Sequence, residues 1–308
     1  MRASSLWHLI LKSISSWRHD RASSMGGALA YYTLFSIAPM LIIVIAVAGV
    51  FLGDEAARGE IVGQLQGLLG NSGATAVQGL LESARKPTDG ILATIVSVAL
   101  LIVGATTVFA ELQTDLDLIW RAPAVKSPSG LWRLLRARVL SFGMVLAIAF
   151  VLLVSLVLSA ALQALGKWWG GSFEGFALLL EAVNFLVSFA ITTGLFALIY
   201  KLLPRADIAW HDVWIGSAVT ALLFAIGKFL IGLYIGRSGV ASGFGAAGSF
   251  VVLLIWVYYS AQIFLLGAEF TWVYANAHGS RRGQQASPQG ERGNERTRLV
   301  REPRSAAS

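Results

Sequence analysis

Long apolar stretches dominate this sequence and decide what it can fold into. Six of them are about as long as the roughly 20 residues that a helix needs to cross the hydrocarbon core of a bilayer. Inside a bilayer every backbone polar group must be paired within the protein, so these stretches are expected to form α-helices. The predicted spans cover residues 27–52, 91–110, 139–165, 176–203, 213–235 and 249–274.

The composition favours a membrane bundle over a soluble fold. Hydrophobic residues make up 56% of the chain and charged residues 13%, whereas soluble domains usually carry about 25% charged residues. The chain has no cysteine, which excludes disulfides, thiolate metal sites and cysteine nucleophiles. The sequence therefore predicts an all-α polytopic membrane protein, built as a bundle of six transmembrane helices.

The N-terminal residues 1–24 predict a helix outside the spans. Leu9, Ile10, Ile14 and Trp17 recur at helical spacing, with charged and hydroxyl residues between them. This pattern indicates an amphipathic helix that lies flat at the membrane interface.

Two further segments differ from the spans. Within the membrane domain, residues 25–276, the longest connection is 53–90, where we expect a small outer cap of one or two short amphipathic helices. Residues 277–308 are rich in Arg, Gly, Ser, Gln and Glu. Because such a composition leaves little apolar surface to bury, it predicts a disordered basic tail.

Basic residues are distributed unevenly over the connections. Most of the 24 Lys and Arg residues lie in the N-terminal segment, in residues 121–138 and 201–205, and in the tail. Positive connections are retained in the cytoplasm, so we expect both termini there, with basic groups contacting lipid headgroups. We expect no nucleic-acid binding, because runs of like charge are usually solvated.

Polar and small residues gather on one face of each predicted span. Polar groups inside a membrane are costly, so these faces indicate a polar bundle interior. For the Ser, Thr and Gly positions there is an alternative interpretation, in which these residues only allow the helices to pack closely, and the sequence does not decide between the two. The candidates for a substrate pathway are Tyr32, Ser36 and Pro39 in the first span, Gln163 in the third, Glu181, Asn184, Ser188 and Thr192 in the fourth, Lys228 in the fifth and Gln262 in the sixth.

Two ionisable residues stand out in the fourth and fifth spans. Glu181 and Lys228 are predicted at similar depth, with Lys228 turned towards a neighbouring helix and away from lipid. The two side chains can form a buried pair that fixes helix register. Alternatively, they line a cavity in which a charged substrate or a proton displaces one partner.

Two carboxylates occur at the predicted inner ends of spans. Glu111 and Glu269 are either boundary residues or parts of an inner gate. Asp115 and Asp117 are two residues apart and point to different sides of a helix, so we expect no metal site there. We predict no catalytic residues and no cofactor, and we do not expect an enzyme.

Several short motifs occur in a distinctive order along the chain. They are ALAYYTLFSIAPML at 28–41, Leu118 to Trp120, the turn from Leu203 to Trp210, 243–248, Trp256, and Gly267 to Glu269. In this order and spacing they resemble the YihY/BrkB family of inner-membrane proteins. The resemblance covers residues 17–276 and implies a bacterial inner-membrane protein with six spans and cytoplasmic termini. Some members are called serum-resistance or virulence factors, and proposals for their activity lean towards transport, including transport of lipid-like molecules.

Members of that family were once labelled ribonuclease BN. Hydrolysis of RNA needs a metal–carboxylate cluster or an exposed set of His, Lys and acid groups. The chain has four histidines, and each stands alone at a predicted membrane edge: His8, His19, His211 and His278. The sequence therefore argues against ribonuclease activity.

Two functional hypotheses remain. The first is a transporter or flippase that moves a small or lipid-like amphiphile through the polar interior, with a first span bent at Pro39 and membrane lipids as partners. The alternative is a noncatalytic scaffold for envelope assembly that recruits envelope proteins through its outer loop, 53–90, and its basic tail. The sequence does not name a substrate, a coupling ion or an oligomeric state.

Overall fold

The computed structural model describes residues 3–84, 91–122, 174–238 and 247–282, with residues 143 and 244 in addition. Every long regular element in these ranges is a helix, so the all-helical prediction is confirmed for this part of the chain. The seven helices are α1 Ala3–His19, α2 Ala22–Leu52, α3 Asp54–Ala84, α4 Ile91–Ile119, α5 Glu174–Leu202, α6 Trp210–Ser238 and α7 Gly248–Ala277.

Five of the described helices are long and apolar enough to cross a membrane: α2, α4, α5, α6 and α7. They correspond to the first, second, fourth, fifth and sixth predicted spans. The chain is thus a membrane protein with several apolar helices. The third predicted span, 139–165, lies outside the described residues except for residue 143, and the count of six stays a prediction.

α1 packs against α7 and turns sharply into α2. Leu9 and Ser13 are buried on one side of α1, and Arg21 makes the turn with a φ of +56°. A second side of α1 is apolar and exposed. The sequence pattern placed Leu9 and Ile10 on one apolar face, whereas in the structure Leu9 is buried and Ile10 is exposed. The exposed residues, with fractional exposures between 40% and 61%, are Trp7, Ile10, Leu11 and Ile14. Whether this face lies in the interface stays a prediction.

α2 and α3 form a helical hairpin whose connection is a single residue. Gly53 has a φ of +82°, a conformation that favours glycine. α3 therefore runs back along α2. Val77 and Leu81 of α3 are buried in one cluster with Ile37 and Leu41 of α2.

The expected outer cap is not confirmed. The described part of the 53–90 connection is one helix of 31 residues instead of one or two short ones. The helix contains six glycines, each of which costs about 1 kcal/mol relative to alanine in a helix interior. Burial of Ala74, Val77 and Leu81 against α2 and α7 stabilises it.

α4 approaches α2 at a point where a proline meets a glycine. A Cβ added at Gly104 would lie 2.9 Å from Cγ of Pro39, so the side chain of any larger residue would push the helices apart. Pro39 lies inside α2, which is assigned as one helix from Ala22 to Leu52.

α7 is the central helix of the described bundle. It contacts α1, α2, α3, α4 and α6. We call the end of the bundle that contains Asp20, Arg121 and Arg281 the basic end. A layer of large side chains, each at most 1% exposed, fills this end: Leu116, Ile119, Trp120 and Ile208.

Candidate functional site

Two reciprocal contacts between glycine and threonine bring α6 and α7 together. Gly216 and Thr220 lie in α6, and Gly267 and Thr271 lie in α7, each threonine four residues after its glycine. The Thr220 and Thr271 hydroxyls donate to the carbonyls of their own glycines at 2.8 and 2.7 Å. A Cβ at Gly216 would collide with Thr271, and one at Gly267 would collide with Thr220. Small residues that admit close approach are typical of helix contacts in membranes, and here they fix the register of α7.

Tyr200 of α5 joins this contact from a third helix. Its side chain is fully buried, and its hydroxyl donates to the Phe264 carbonyl at 2.7 Å. The hydroxyl also lies 3.2 Å from Oγ1 of Thr220. Because each polar group in this contact finds a partner, α5, α6 and α7 form a well-ordered support for the residues that follow in α7.

A buried carboxyl pair lies at the level of this contact, since Glu269 stands between Gly267 and Thr271 in α7. Glu269 is 0% exposed, and neither of its carboxylate oxygens accepts a hydrogen bond from the described residues. Asp20, in the turn between α1 and α2, lies close to Glu269, but its Oδ2 atom likewise has no hydrogen-bond partner among the described residues. Two carboxyl groups can form a hydrogen bond only when one of them carries a proton. We call Asp20 and Glu269 the carboxyl pair.

Arg121 is the cation of this site. It follows the end of α4 with a φ of +50°, and its guanidinium lies 3.8 Å from the Asp20 carboxylate. The same guanidinium lies 4.6 Å from the centre of the Trp272 ring, a favourable cation–π geometry. Arg121 therefore links α4 and α7 to the turn between α1 and α2, beside Glu269.

A second fully buried carboxylate holds the segment that follows α7. Asp212, 1% exposed at the start of α6, accepts hydrogen bonds from the backbone N–H of Ser280 at 3.0 Å and from its hydroxyl at 2.6 Å. Arg281 then lies 5.2 Å from the Trp120 ring centre and donates to the Asp207 carbonyl at 2.7 Å. Residues 279–281 thus form a strap across the basic end.

The turn between α5 and α6 is fixed to α4. The Arg205 backbone N–H donates to the Asp117 carboxylate at 2.7 Å, and its side chain lies 3.6 Å from the same group. The Gln113 side-chain amide donates to the Leu203 carbonyl at 2.9 Å. The motif at 203–210 therefore has a structural role that the sequence pattern did not reveal.

A groove of about 370 Å³ lies between α6 and α7, away from the basic end. Its surface is apolar apart from tyrosine hydroxyls, and three of the lining residues, Leu230, Tyr234 and Tyr258, are between 39% and 55% exposed. The groove is therefore open at the side of the bundle. It is lined by Leu230, Ile231, Tyr234, Ile255, Tyr258 and Tyr259.

Four predicted pathway residues lie at helix contacts of the described bundle. Ser36 is 1% exposed, and its hydroxyl has no partner among the described residues. Tyr32 packs against the core at the basic end, and Pro39 packs against α4. The Gln262 amide lies against Gly26 of α2. Their roles in transport stay predictions.

Lys228 does not pack against a neighbouring helix as expected, because its side chain is exposed, and its place in a substrate pathway stays a prediction. The residue of α6 that packs against α7 at this level is Gly227, one position away, and a step of 100° turns Lys228 to another side. On α5, Ser188 is likewise exposed and Thr192 is half-buried. The buried face of α5 carries Thr193, Ala197 and Tyr200, one residue away from the predicted stripe.

The remaining predicted residues fall into two groups. The side chains of Glu181 and Asn184, and all of Gln163, lie outside the described part of the structure, so a pairing of Glu181 with Lys228 stays a prediction. Glu111 is half-buried in α4, one turn before the buried Asp115. Among the described residues, no group of three or more His, Asp or Glu side chains is arranged to hold a metal ion.

Sequence reasoning missed Asp20, Arg121 and Asp212 as site residues. Asp20 and Arg121 lie just beyond helix ends, where charged residues are common, so the pattern gave no reason to select them. The Gly216/Thr220 and Gly267/Thr271 pairs did carry a signal, because the same spacing of glycine and threonine recurs in two spans.

The sequence is similar to a described family of membrane proteins. The family described as virulence factor BrkB matches residues 13–291, which include every described helix except the first residues of α1. No solved structure matches the chain.

Relatives of similar length carry the name UPF0761 membrane protein. One from Aeromonas salmonicida is 29% identical over 267 residues, which cover 83% of this chain and 85% of the relative. One from Vibrio campbellii is 30% identical over 263 residues, with 82% and 77% covered. One from Vibrio parahaemolyticus is 31% identical over 264 residues, again with 82% and 77% covered.

Proposed function

The chain belongs to the virulence factor BrkB family of membrane proteins, and from that premise we propose that it is a transporter or flippase for a small or lipid-like amphiphile. The proposed location is the bacterial inner membrane, with the basic end and both termini in the cytoplasm. The observation that carries the proposal is the open groove between α6 and α7.

The groove offers both kinds of surface that an amphiphile requires. Leu230, Ile231 and Ile255 present aliphatic surface that fits an acyl chain. Tyr234 and Tyr258 add aromatic rings whose hydroxyls can hydrogen-bond to a headgroup. Because the groove lies on two apolar helices and opens at their side, a lipid could enter it directly from the bilayer.

A line of polar residues leads from the groove towards the basic end. Tyr259 lines the groove, and Gln262 and Glu269 follow it on α7 at intervals of three and seven residues. These intervals place the three side chains on one face of the helix. The path from Tyr259 to Glu269 is about 15 Å long at 1.5 Å per residue, or half the thickness of a hydrocarbon core of about 30 Å.

We propose that the carboxyl pair and Arg121 form the inner gate. Glu111, about 15 Å before Arg121 along α4, lies apart from it. The Arg121 side chain is 55% exposed at the point where it meets Asp20, so the ion pair can be replaced by contacts with water. Opening of this pair would connect the buried Glu269 to the cytoplasm.

Lipid movement in vesicles tests the proposal. The purified protein is reconstituted into vesicles that contain a fluorescent phospholipid, and the fraction of dye that a membrane-impermeant reductant reaches reports movement between leaflets. We expect the protein to speed this movement, and Tyr259→Ala to slow it several-fold. Phe229→Ala is the matched control, because Phe229 is 71% exposed on α6 but does not line the groove.

Two results would refute the proposal. In the first, vesicles with protein behave like protein-free vesicles, and the purified protein retains no lipid in native mass spectrometry. In the second, Phe229→Ala and Tyr259→Ala have equal effects, which would assign the activity to general disturbance of the bilayer.

The scaffold alternative has less structural support. Its outer contact surface was expected at residues 53–90, yet the buried face of α3 packs along α2 and α7. The alternative now depends mainly on the basic tail. Deletion of residues 283–308 separates the two functions, because a transporter should keep its activity whereas a scaffold should lose its envelope partners.

A further inference from the structure

α3 has a polar face that is not used in packing. Asn71, Thr75, Gln78 and Glu82 are all exposed, and their spacing of four, three and four residues places them within a narrow stripe. The stripe is about 16 Å long. The opposite face is buried and packs against α2 and α7.

The depth of this stripe is unexpected for polar side chains. Val77 and Leu81, the immediate sequence neighbours of Gln78 and Glu82, are buried in the cluster that contains Ile37 of α2. Ile37 lies near the middle of the apolar segment Ala22–Val50. The cluster extends along α2 from Ala30 to Ile45. Since neighbouring residues of a helix differ by only about 1.5 Å in height, Gln78 and Glu82 lie at a depth within this apolar segment.

Hydrocarbon does not solvate these groups. A carboxylate or an amide facing lipid at this depth would lose its hydrogen bonds with water without replacement. Gln78 and Glu82 form no hydrogen bond or ion pair with other described residues. Both side chains therefore require a polar solvent at this face.

We propose that the polar face of α3 lines a water-filled vestibule, which reaches into the bundle from the side opposite the basic end. Two features set the direction of the opening. α3 begins at the end of α2 that is remote from the basic end, immediately after the Gly53 turn. At the basic end, the layer that contains Leu116 and Trp120 is fully buried and closes the bundle.

The vestibule is a property of the fold and does not depend on the proposed transport. A chain that moves no lipid would still admit water along α3. If transport does occur, the vestibule shortens the distance over which a polar headgroup must cross a dry interior.

The absence of cysteine allows a direct test by thiol labelling. Single cysteines are introduced into the full chain as Gln78→Cys and Glu82→Cys, and intact spheroplasts are treated with a charged, membrane-impermeant thiol reagent. Val77→Cys and Leu81→Cys are the matched controls, one residue away on the buried face. Phe229→Cys reports an exposed apolar position within a candidate span, and Glu55→Cys reports a polar position at the start of α3.

We expect Gln78→Cys and Glu82→Cys to react within about tenfold of the rate of Glu55→Cys. Val77→Cys, Leu81→Cys and Phe229→Cys should react only after denaturation in detergent, because a buried or lipid-facing thiol does not ionise readily. If loss of the Gln78 or Glu82 side chain prevents folding, Thr75→Cys gives the same measurement at a smaller exposed residue of the stripe.

The proposal is overturned if Gln78→Cys and Glu82→Cys remain unreactive in the folded protein but react once it is denatured. It is also overturned if they react only from the cytoplasmic side, or if Val77→Cys and Leu81→Cys react equally fast. Elution as a single species in size-exclusion chromatography shows that each variant is folded. Lipid movement is not measured here, so failure of this test is distinct from failure of the transport assay.

Discussion

Substitution of Gly216 by alanine tests the contact between α6 and α7 most directly. All three atoms nearest to an added Cβ belong to Thr271: Oγ1, Cβ at 2.6 Å and Cγ2 at 2.7 Å. Since Cβ of Thr271 is bonded directly to the α7 backbone, rotation of the threonine side chain cannot remove the collision at 2.6 Å. The two helices must separate.

The expected magnitude follows from two opposing effects. Forcing an extra methyl group into a packed contact costs about 1–3 kcal/mol. Replacement of glycine by alanine in a helix interior gains about 1 kcal/mol where space is free. Gly232, in the same helix, has no atom within 4 Å of an added Cβ. We therefore expect Gly216→Ala to lower stability and Gly232→Ala to leave it unchanged or raise it. The gain in helix propensity is common to both changes, so the difference between them is the collision cost of roughly 1–3 kcal/mol.

Thermal unfolding of the purified full chain measures this difference. The chain contains 10 tryptophans, so intrinsic fluorescence reports unfolding. Gly216→Ala should lower the Tm relative to both the original chain and Gly232→Ala. The reciprocal exchange, Gly216→Ala with Thr271→Gly, removes the collision and should be more stable than the two single effects predict.

Two outcomes would refute this reasoning. If Gly216→Ala is as stable as Gly232→Ala, the helices are not in close contact at this point. If the effects of Gly216→Ala and Thr271→Gly simply add, the two residues do not interact.

Three further predictions concern other contacts. Glu269→Gln should raise the Tm, because its amide can donate to Asp20 and the new hydrogen bond contributes about 1 kcal/mol; lipid movement should fall in the same variant. Asp212→Ala should cost about 1–3 kcal/mol by leaving the donors of the strap unpaired, and trypsin should then cleave after residues 281 and 282 faster. Gly104→Ala should lower the Tm because of its collision with Pro39, and addition of Pro39→Ala should restore it by removing the ring.

Each of these three predictions has a matched control. Glu111→Gln changes a half-buried carboxyl outside the carboxyl pair, and Asp207→Ala changes a fully exposed one. Gly27→Ala introduces a methyl group where no atom lies within 4 Å. A lower Tm in Glu269→Gln would contradict the expected hydrogen bond to Asp20. Unchanged trypsin cleavage in Asp212→Ala would contradict the role of Asp212 in holding the strap. Equal stability of Gly104→Ala and Gly27→Ala would contradict the close contact between Gly104 and Pro39.

Hydrophobic length predicted the positions of the described spans well. The expected span 249–274 corresponds to α7, Gly248–Ala277, and 213–235 corresponds to α6, Trp210–Ser238. These boundaries follow from the length of the apolar stretch and from its polar flanks, which are local properties of the chain. α3 was harder to predict, because its glycines disfavour a helix locally and its stability comes from burial against α2 and α7.

Orientation within the bundle was predicted less well. Ser217 and Ala221 share a side of α6 with Lys228 by helical spacing and are buried, whereas Lys228 is exposed. A helical period identifies residues that share a side, whereas it does not say how far along the helix a neighbour remains in contact. Asp20 could not be found in this way, since it lies in a turn and meets Glu269 only through the tertiary fold.

The central position of α7 has a consequence for biosynthesis. Helices α1, α2, α3, α4 and α6 all contact α7, although it is the last of the described helices to leave the ribosome. Until it is inserted, Thr220 and Tyr200 lack their contacts with Gly267 and Phe264. The earlier helices are therefore inserted before their polar groups can pack against α7. Until then, the insertion machinery or lipid headgroups must shield these groups from hydrocarbon. Chains that stop before residue 248 should be recognised by membrane quality control as unassembled.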